Sequence, residues 1–495
     1  MSRFAVAAAR LAAAALLVFS SGCAASRALP SPVSSAEGAG DVRSAQWTAL
    51  VGPLSILAYG GLKGLTYTAH PSGDTFDYAE DVAVDFDRAV DMSTFAAHFT
   101  IAPAAPYVTS NTNFGKRVGI TIRKTPGVTY TLTLHAQLRA LDGTALANDG
   151  VFALTTPAVV TYPPRTHSSK GDPYRYGFLV HPTTDSVSGA NASTIADIVQ
   201  SAGAGFVRID YTGNQIMTTP TNTNWIPSDK IVALFAARHV TMLPILEQYS
   251  TAAWQSNGAP YPVIYDTPDL YAQFVSTVVA HLRTVAPQIT RVELFNEPNL
   301  PKWWQAPNPA YAATDGSAAA AYMLAGYAAA KAANPALTVV GPGFADGGGA
   351  TDPRTFLTKM YASGCRTGTC WDVISVHPYA WIDPTYTVST TSFTRFGIYK
   401  DLQAIAVANG DALPHVMLTE FSFSTVDEAD GFDPQVQARL LAEGFNLTLR
   451  DLTVDGVVWT SVYAPGSDFW SRTSLTDAAY NPEPAYAAYR AYAVP

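Results

Sequence analysis

Val292-Glu293-Leu294-Phe295-Asn296-Glu297-Pro298-Asn299 is an apolar, strand-like run that ends on a glutamate held by a proline. A second string has the same form: His415-Val416-Met417-Leu418-Thr419-Glu420-Phe421. Around both, from residue 173 to the C-terminus, apolar runs alternate with helical stretches, the signature of βα units and a parallel sheet. Candidate strands fall at 176–181, 206–211, 240–247, 292–297, 337–341, 373–377, 416–420 and 456–461. Between the fourth and fifth, Met323, Gly326, Tyr327 and Ala330 mark one helix face, which stops at Asn334-Pro335. Eight such units predict a (β/α)8 TIM barrel over 173–495. A doubly wound sheet is the alternative and wants a glycine-rich phosphate loop after an early strand. Gly341-Pro342-Gly343 and Gly347-Gly348-Gly349 lack both the spacing and the helix start for one.

Upstream the period changes to two. Val82, Val84 and Phe86 alternate with Asp81, Ala83 and Asp85, and Val128, Tyr130, Leu132 and Leu134 alternate with Thr129, Thr131 and Thr133. Val118, Ile120 and Ile122 follow the same rule, and Pro126-Gly127, Asp142-Gly143 and Asn148-Asp149-Gly150 supply turns. Short strands at this spacing predict a small all-β sandwich over 47–159. Its strings Phe86-Asp87-Arg88-Ala89-Val90-Asp91 and Tyr130-Thr131-Leu132-Thr133-Leu134 resemble bacterial Ig-like domains, which implies a spacer or stalk. A carbohydrate-binding role is the rival reading, without an evident exposed aromatic cluster behind it. Residues 160–172 form a Pro/Ser/Gly linker to the barrel.

At the N-terminus, Arg3 and Arg10 flank an apolar stretch to Phe19, followed by small residues and Cys23. That is the layout of a secretory signal, and the run is too short for a comfortable membrane span. Phe19-Ser20-Ser21-Gly22-Cys23-Ala24 resembles a bacterial lipoprotein signal, with Ser20 standing where a leucine is usual. The resemblance implies a signal peptide over 1–23 and a lipidated Cys23, with ordinary cleavage near Ala24 or Ala25 as the alternative, and the Ala/Ser/Pro/Gly-rich stretch that follows reads as a flexible tether over 24–46. The expected location is the periplasm or the outer membrane and exterior. Cys365 and Cys370 stand five residues apart, and outside the cytoplasm such a pair forms a loop-pinning disulfide more readily than a metal site that has no other Cys or His nearby.

The chain has 495 residues, 48% hydrophobic and 14% charged, enough to bury a large core. A net charge of −9 disfavours nucleic acid or an anionic lipid surface as a partner. A neutral or basic polymer fits it. The membrane enters only through the lipid anchor, and a monomer is expected.

Barrel enzymes keep their chemistry at the C-terminal ends of their strands. Glu297 and Glu420 end the fourth and seventh strands, and two carboxyl groups facing one cavity are what cleavage of a glycosidic bond needs. An acid that protonates a leaving oxygen wants a raised pKa, which burial and a second carboxylate supply. Alone, Glu297 reads equally as a surface loop residue and Glu420 as an arginine's partner; their joint placement favours the pair. Arg208 could merely neutralise core carboxylates such as Asp210, and His377 could be a satisfied core histidine. Glu247, at the end of the third strand, is a third inward carboxyl, able to bind a sugar hydroxyl or shift a neighbour's pKa.

These residues resemble clan A glycoside hydrolases. The resemblance implies that Glu297 is the acid/base and Glu420 the nucleophile of a retaining enzyme. It implies that Asn296 contacts the sugar 2-hydroxyl, that Arg208 supports the nucleophile, and that His377 and Tyr379 are the sixth-strand pair. Trp459 matches a tryptophan that stacks beneath the reacting sugar. Ala333-Asn334-Pro335, Val339-Val340-Gly341-Pro342-Gly343 and Pro482-Glu483-Pro484-Ala485-Tyr486 resemble glycoside hydrolase family 39, which includes β-xylosidases, α-iduronidases and bacterial exopolysaccharide hydrolases. Trp254, Trp303 and Trp304 lie in loops that should follow strands, with Trp381, Tyr463 and Trp470 further along. Such rings stack on apolar sugar faces, and several along one rim suggest an endo-acting cleft on a poly- or oligosaccharide. No cofactor or catalytic metal is implied. A transglycosylase and a non-catalytic glycan-binding surface protein are the alternatives.

Overall fold

The computed structural model describes residues 52–63, 66–78, 80–157, 172–180, 192–219, 221–247, 249–250, 263–347, 349–379, 396–428, 431–464, 466–468 and 471–494. The signal segment with Cys23, the tether, the linker up to residue 171, Trp254, Trp381 and Trp470 lie outside the described residues.

A closed, all-parallel barrel forms from β1 (Tyr176–Val180), β2 (Phe206–Tyr211), β3 (Thr241–Leu246), β4 (Arg291–Leu294), β5 (Thr338–Ala345), β6 (Val373–His377), β7 (Val416–Phe421) and β8 (Val454–Trp459). They pair in sequence order, and β8 closes on β1 through Val458 opposite Gly177. A helix follows each: α1 (Ala192–Ser201), α2 (Ile226–Ala236), α3 (Pro268–Val285), α4 (Ser317–Ala333), α5 (Pro353–Ala362), α6 (Ile398–Ala408), α7 (Pro434–Leu449) and α8 (Pro484–Ala493). Three of them start on a proline behind a capping side chain. Thr267 accepts from the Leu270 N–H, Asp352 from Arg354 and Thr355, and Asp433 from Gln435. On α4, Met323, Gly326 and Ala330 are buried and Asn334 caps the C-terminus. A Cβ on Gly326 would stand 2.7 Å from the Tyr271 ring of α3, so glycine sets how closely these helices pack.

Strand alternation divides the residues between two cores. Outward-facing Val207, Ile209, Val292, Leu294, Ile374 and Val376 pack beneath the helices. Inward-facing Phe206, Leu243, Ile245, Val340, Val373, Met417 and Val458 fill the barrel's lower part together with Tyr174 and Leu179. Tyr174 closes the floor: its hydroxyl donates to the Met242 carbonyl at 3.2 Å and accepts from the Thr290 N–H at 3.0 Å. Such large side chains fit because Gly177 and Gly456 yield room. Cβ atoms there would stand 2.5 Å from the Phe206 ring and 2.1 Å from the Tyr174 carbonyl oxygen.

The N-terminal region is a separate all-β unit. One antiparallel sheet orders Thr66–Ala69, Ile56–Lys63, Asp81–Phe86, Arg117–Ile122 and Tyr107–Thr112 side by side; the other orders Phe99–Ala102, Thr129–Leu134 and Gly150–Thr155. Val82, Val84, Val118 and Ile120 of the first sheet share one apolar core with Phe99, Tyr130, Leu132 and Leu154 of the second. This unit meets the barrel at the segment after β7. Arg123 Nε donates to the Val426 carbonyl at 3.1 Å and its guanidinium lies 3.7 Å from Asp427, while Tyr78 is buried in the barrel's outer apolar layer. Cys365 and Cys370, both buried, are joined in a disulfide between α5 and β6. Among the described residues no helix is long and apolar enough to cross a membrane.

Because the Gly456 position faces backbone, Gly456→Ala forces the strand itself to shift. Urea unfolding should show a loss of about 1–3 kcal/mol; an unchanged midpoint would mean that the barrel floor is looser than this packing requires.

Candidate active site

Above the apolar plug lies a sealed layer of charge. Arg208 and Glu293 have no exposed surface. Arg208 Nε donates to Glu293 Oε2 at 2.6 Å and NH2 to Glu293 Oε1 at 3.1 Å, a two-pronged pairing. Ser375 and Thr419 hydroxyls each donate to Glu293 Oε1 at 3.2 Å and contact each other. The remaining prongs of Arg208 reach upward. NH1 donates to Glu420 Oε1 at 2.6 Å and NH2 to Asn296 Oδ1 at 2.9 Å. Burial on its own would weaken the guanidinium's charge; Glu293 and then Glu420 outweigh it and hold Arg208 firmly protonated.

The upper layer opens to solvent. The Glu297 and Glu420 side chains keep 16% and 12% of their surface, while His377 between them has none. Tyr379 donates its hydroxyl to Glu420 Oε2 at 2.6 Å and lies 3.1 Å from the Thr460 hydroxyl. Burial, reinforced by the Glu420 charge, raises the Tyr379 phenol and keeps it a donor. His377 Nδ1 lies 2.9 Å from Glu297 Oε1. Its Nε2, 3.5 Å from Arg208 NH2, faces a group that can only donate. The network therefore assigns the proton to Nδ1, which donates to Glu297. One oxygen each of Glu297 and Glu420 lies within 4.8 Å of the other and of a His377 nitrogen. These three could ligate a metal by distance alone, but both Glu420 oxygens already accept bonds, one from a guanidinium whose charge opposes a cation.

Two breaks in the strand pleat build this mouth. A regular strand sends neighbouring residues to opposite faces, yet Asn296 and Glu297 both reach inward. Phe295 and Glu297 adopt left-handed backbone, φ 68° and 47°, and Phe295 turns out among the helix-layer aromatics. The Glu297 N–H is pinned to the Gly343 carbonyl at 2.9 Å. On β7 the register with β8 slips between Leu418 and Phe421, which lets Thr419 and Glu420 both face the interior. Gly343 on β5 gives the cluster space: a Cβ there would stand 2.2 Å from His377 Nε2 and 2.9 Å from Glu293 Oε1.

Arg208, Asn296, Glu297, His377, Tyr379 and Glu420 thus come together. Glu247 follows β3 in the inward phase of Leu243 and Ile245 and is 4% exposed. Burial first, then the charges of Asp210, Glu293 and Glu420, push its carboxyl well above the ordinary range, with Arg208 opposing.

Two expected stacking residues are not at the mouth. Trp459 has no exposed surface. It falls on the helix-facing side of β8, out of phase with inward Val458, against Phe421 at 5.2 Å, and its indole N–H donates to the Thr473 carbonyl at 2.8 Å. Trp304 is likewise buried, edge-on to Tyr322 and bonded to the Tyr311 carbonyl at 3.0 Å. Trp303 is half-buried with the Lys302 ammonium 4.4 Å over its ring. Glu293, Ser375, Thr419, Thr460 and Gly343 were not singled out in the sequence as site residues. A glutamate inside an apolar strand, four residues before Glu297, was the available signal, since it must find a buried partner.

No family model matches the chain, and no curated protein matches it. Among solved structures it is similar to a family 39 glycoside hydrolase from the gut symbiont Bacteroides cellulosilyticus WH2. That match is 18% identical, covers 85% of this chain and 81% of that one, and has a TM-score of 0.52. It is also similar to a monomeric β-xylosidase from Caulobacter crescentus CB15, 16% identical over 66% of this chain and 69% of that one, with a TM-score of 0.48. Xylanase 10B from Thermotoga maritima is 14% identical over 65% and 94%, with a TM-score of 0.45. The first of these likenesses establishes a shared barrel architecture.

Arg208→Ala strands Glu293 as a buried, unpaired charge and should cost about 3–5 kcal/mol in urea unfolding. Adding Glu293→Gln should recover part of that loss; a double variant no more stable than the single one would refute the pairing. Glu247 gives a second expectation. Its folded-state pKa is raised, so the native chain loses stability as pH climbs from about 4.3, the unfolded value, through the folded one. Glu247→Gln removes that loss. Its unfolding midpoint relative to wild type should rise across this window, and parallel pH profiles would refute the burial effect.

Proposed function

We propose that this protein is a retaining glycoside hydrolase in which Glu420 is the nucleophile and Glu297 the acid/base. The observation that carries the reading is the facing pair itself. Two partly exposed carboxylates, one just past the fourth strand and one on the seventh, have oxygens within 4.8 Å of each other. Retaining pairs stand about 5–5.5 Å apart, whereas inverting pairs need about 6.5–9.5 Å to seat a water between them.

The surroundings divide the labour. Glu420, held through both oxygens by Arg208 and Tyr379, attacks the anomeric carbon, while Glu297 protonates the departing glycosidic oxygen. Glu297 then takes a proton from water, which releases the sugar from Glu420. His377 holds Glu297 through Nδ1 and keeps one proton between the acid and the guanidinium layer. Asn296, tied by its Oδ1 to Arg208, has its amide nitrogen as the donor for the sugar 2-hydroxyl. The family 39 likeness supports a glycan as substrate and the acidic net charge suits a neutral or basic one; a β-linkage, with endo-action on an exopolysaccharide, is the finer proposal. The signal-like N-terminus supports delivery to the cell envelope.

The test is a screen of the purified chain on β-linked polysaccharides, with Glu297→Gln and Glu420→Gln beside it. Glu420→Gln should abolish turnover. Glu297→Gln should lower it by about 10²–10⁴-fold, and by much less on an aryl glycoside whose leaving group needs no proton. Product anomers followed by NMR should retain configuration, and added acceptor sugar should divert little product. Wild-type turnover in both variants, or inverted product, would refute the assignment.

A further inference from the structure

The steps above leave Glu247 without a task. Its carboxyl projects from the end of β3 in the inward phase, nearly sealed, and its Oε2 is buried without a hydrogen-bond partner among the described residues. A buried polar atom left unsatisfied costs about 1–3 kcal/mol, and native folds seldom tolerate one unless it serves a site. The groups whose charges reach it are Asp210, Glu293 and Glu420, all acidic, and the single guanidinium of Arg208. Four of the five Arg208 N–H groups are taken, two by Glu293, one by Glu420 and one by Asn296, and its single charge already faces two carboxylates. A ligand that enters here meets a surplus of carboxylates and a carboxyl whose Oε2 has no hydrogen-bond partner among the described residues.

We infer that Glu247 is the specificity-determining residue of this pocket: it takes a hydrogen-bond donor of the bound sugar, a hydroxyl or an ammonium, and with the carboxylates around it rejects sugars that carry an acid group. The inference rests on the glycosidase reading and narrows its substrate class to neutral or amino sugars. A protonated Glu247 meets a hydroxyl by donating to it or accepting from it. An ammonium would draw the carboxyl into its charged form and pair with it. A uronate or sulfated unit brings a further negative charge near Asp210, Glu293 and Glu420, where the one guanidinium charge of Arg208 is already shared by Glu293 and Glu420. A site built to bond a polar group discriminates more strongly than an apolar one, because a wrong ligand leaves its buried atoms unpaired.

The experiment uses the full chain and each β-linked glycan that the screen finds cleaved. Every such glycan is prepared in native form, in C6-oxidised form bearing carboxylates, and, where it contains acetamido sugars, in deacetylated form bearing amines. The wild type should cleave the oxidised form at least 100-fold less efficiently than the native or amine-bearing one. Glu247→Met keeps the approximate shape but neither donor nor acceptor, and should raise KM at least tenfold with kcat changed less. A larger effect on the amine-bearing form than on the native one identifies an ammonium as the donor, and equal effects identify a hydroxyl. Glu247→Ala, checked for folding by circular dichroism, should show the same KM loss and a narrowed native-to-oxidised ratio. Equal wild-type cleavage of native and oxidised glycans, or variants that keep wild-type KM and selectivity, would overturn the inference while leaving the glycosidase reading in place. Absence of cleavage of any glycan would instead sink the glycosidase reading, and this inference with it.

Discussion

The whole site hangs on a guanidinium with no exposed surface, clamped between Glu293 below and Glu420 above. Taking either charge out of water costs several kcal/mol, and mutual attraction repays it only when geometry is good and the leftover lone pairs are satisfied. Both conditions hold. The planar fork grips Glu293 at two points, and the Ser375 and Thr419 hydroxyls complete the same carboxylate. Lysine could not replace this arrangement, because a point-like ammonium cannot hold Glu293 at two points while also aiming at Glu420 and Asn296. The lower pair is therefore an anchor for the upper one: Glu420 is positioned by a group that is itself immobilised.

Two of the six left-handed non-glycine residues among those described, Phe295 and Glu297, stand where the chemistry is proposed. Left-handed backbone at bulky residues such as Phe295 and Glu297 costs about 1–3 kcal/mol each. The return is geometric, since a regular strand could not turn Asn296 and Glu297 to the same side. β7 reaches the same end by slipping register before Phe421. The apolar plug beneath, with Tyr174 bonded to both Met242 and Thr290, is buried and closely packed, and it can hold this strain in place. Gly343 belongs to the same solution, since any side chain there would occupy the space that His377 and Glu293 share.

The strands were legible because a parallel barrel buries both faces, so each strand is a short apolar run bounded by polar residues. Their ends agree to within a few residues, although β5 continues to Ala345 through a register shift that periodicity does not reveal. The two glutamates were legible because they terminate such runs. Glu293 was not, because its meaning depends on an arginine 85 residues away. Trp459 and Trp304 were misplaced for a related reason. Aromatic residues near strand ends serve the helix-layer core as readily as a sugar site, and one step of strand phase decides between them. On β8 that phase turns Trp459 outward and Val458 inward.

The all-β unit raises a question of which contact holds it to the barrel. The Arg123–Asp427 pair, with an aspartate that is 85% exposed, belongs to a class of ion pairs that contributes about 0–1 kcal/mol. Tyr78 is different: it is almost fully buried and packs in the barrel's own outer core, where a large apolar side chain contributes about 1.5–3 kcal/mol. Apolar burial thus dominates the docking, with Arg123 fixing its orientation through the Val426 carbonyl. That carbonyl lies on the segment leaving β7, six residues beyond Glu420, and the segment is folded back on itself where the Phe432 N–H meets the Ser424 carbonyl at 2.8 Å. The all-β unit is thus seated on the strand exit that follows one of the two facing carboxylates.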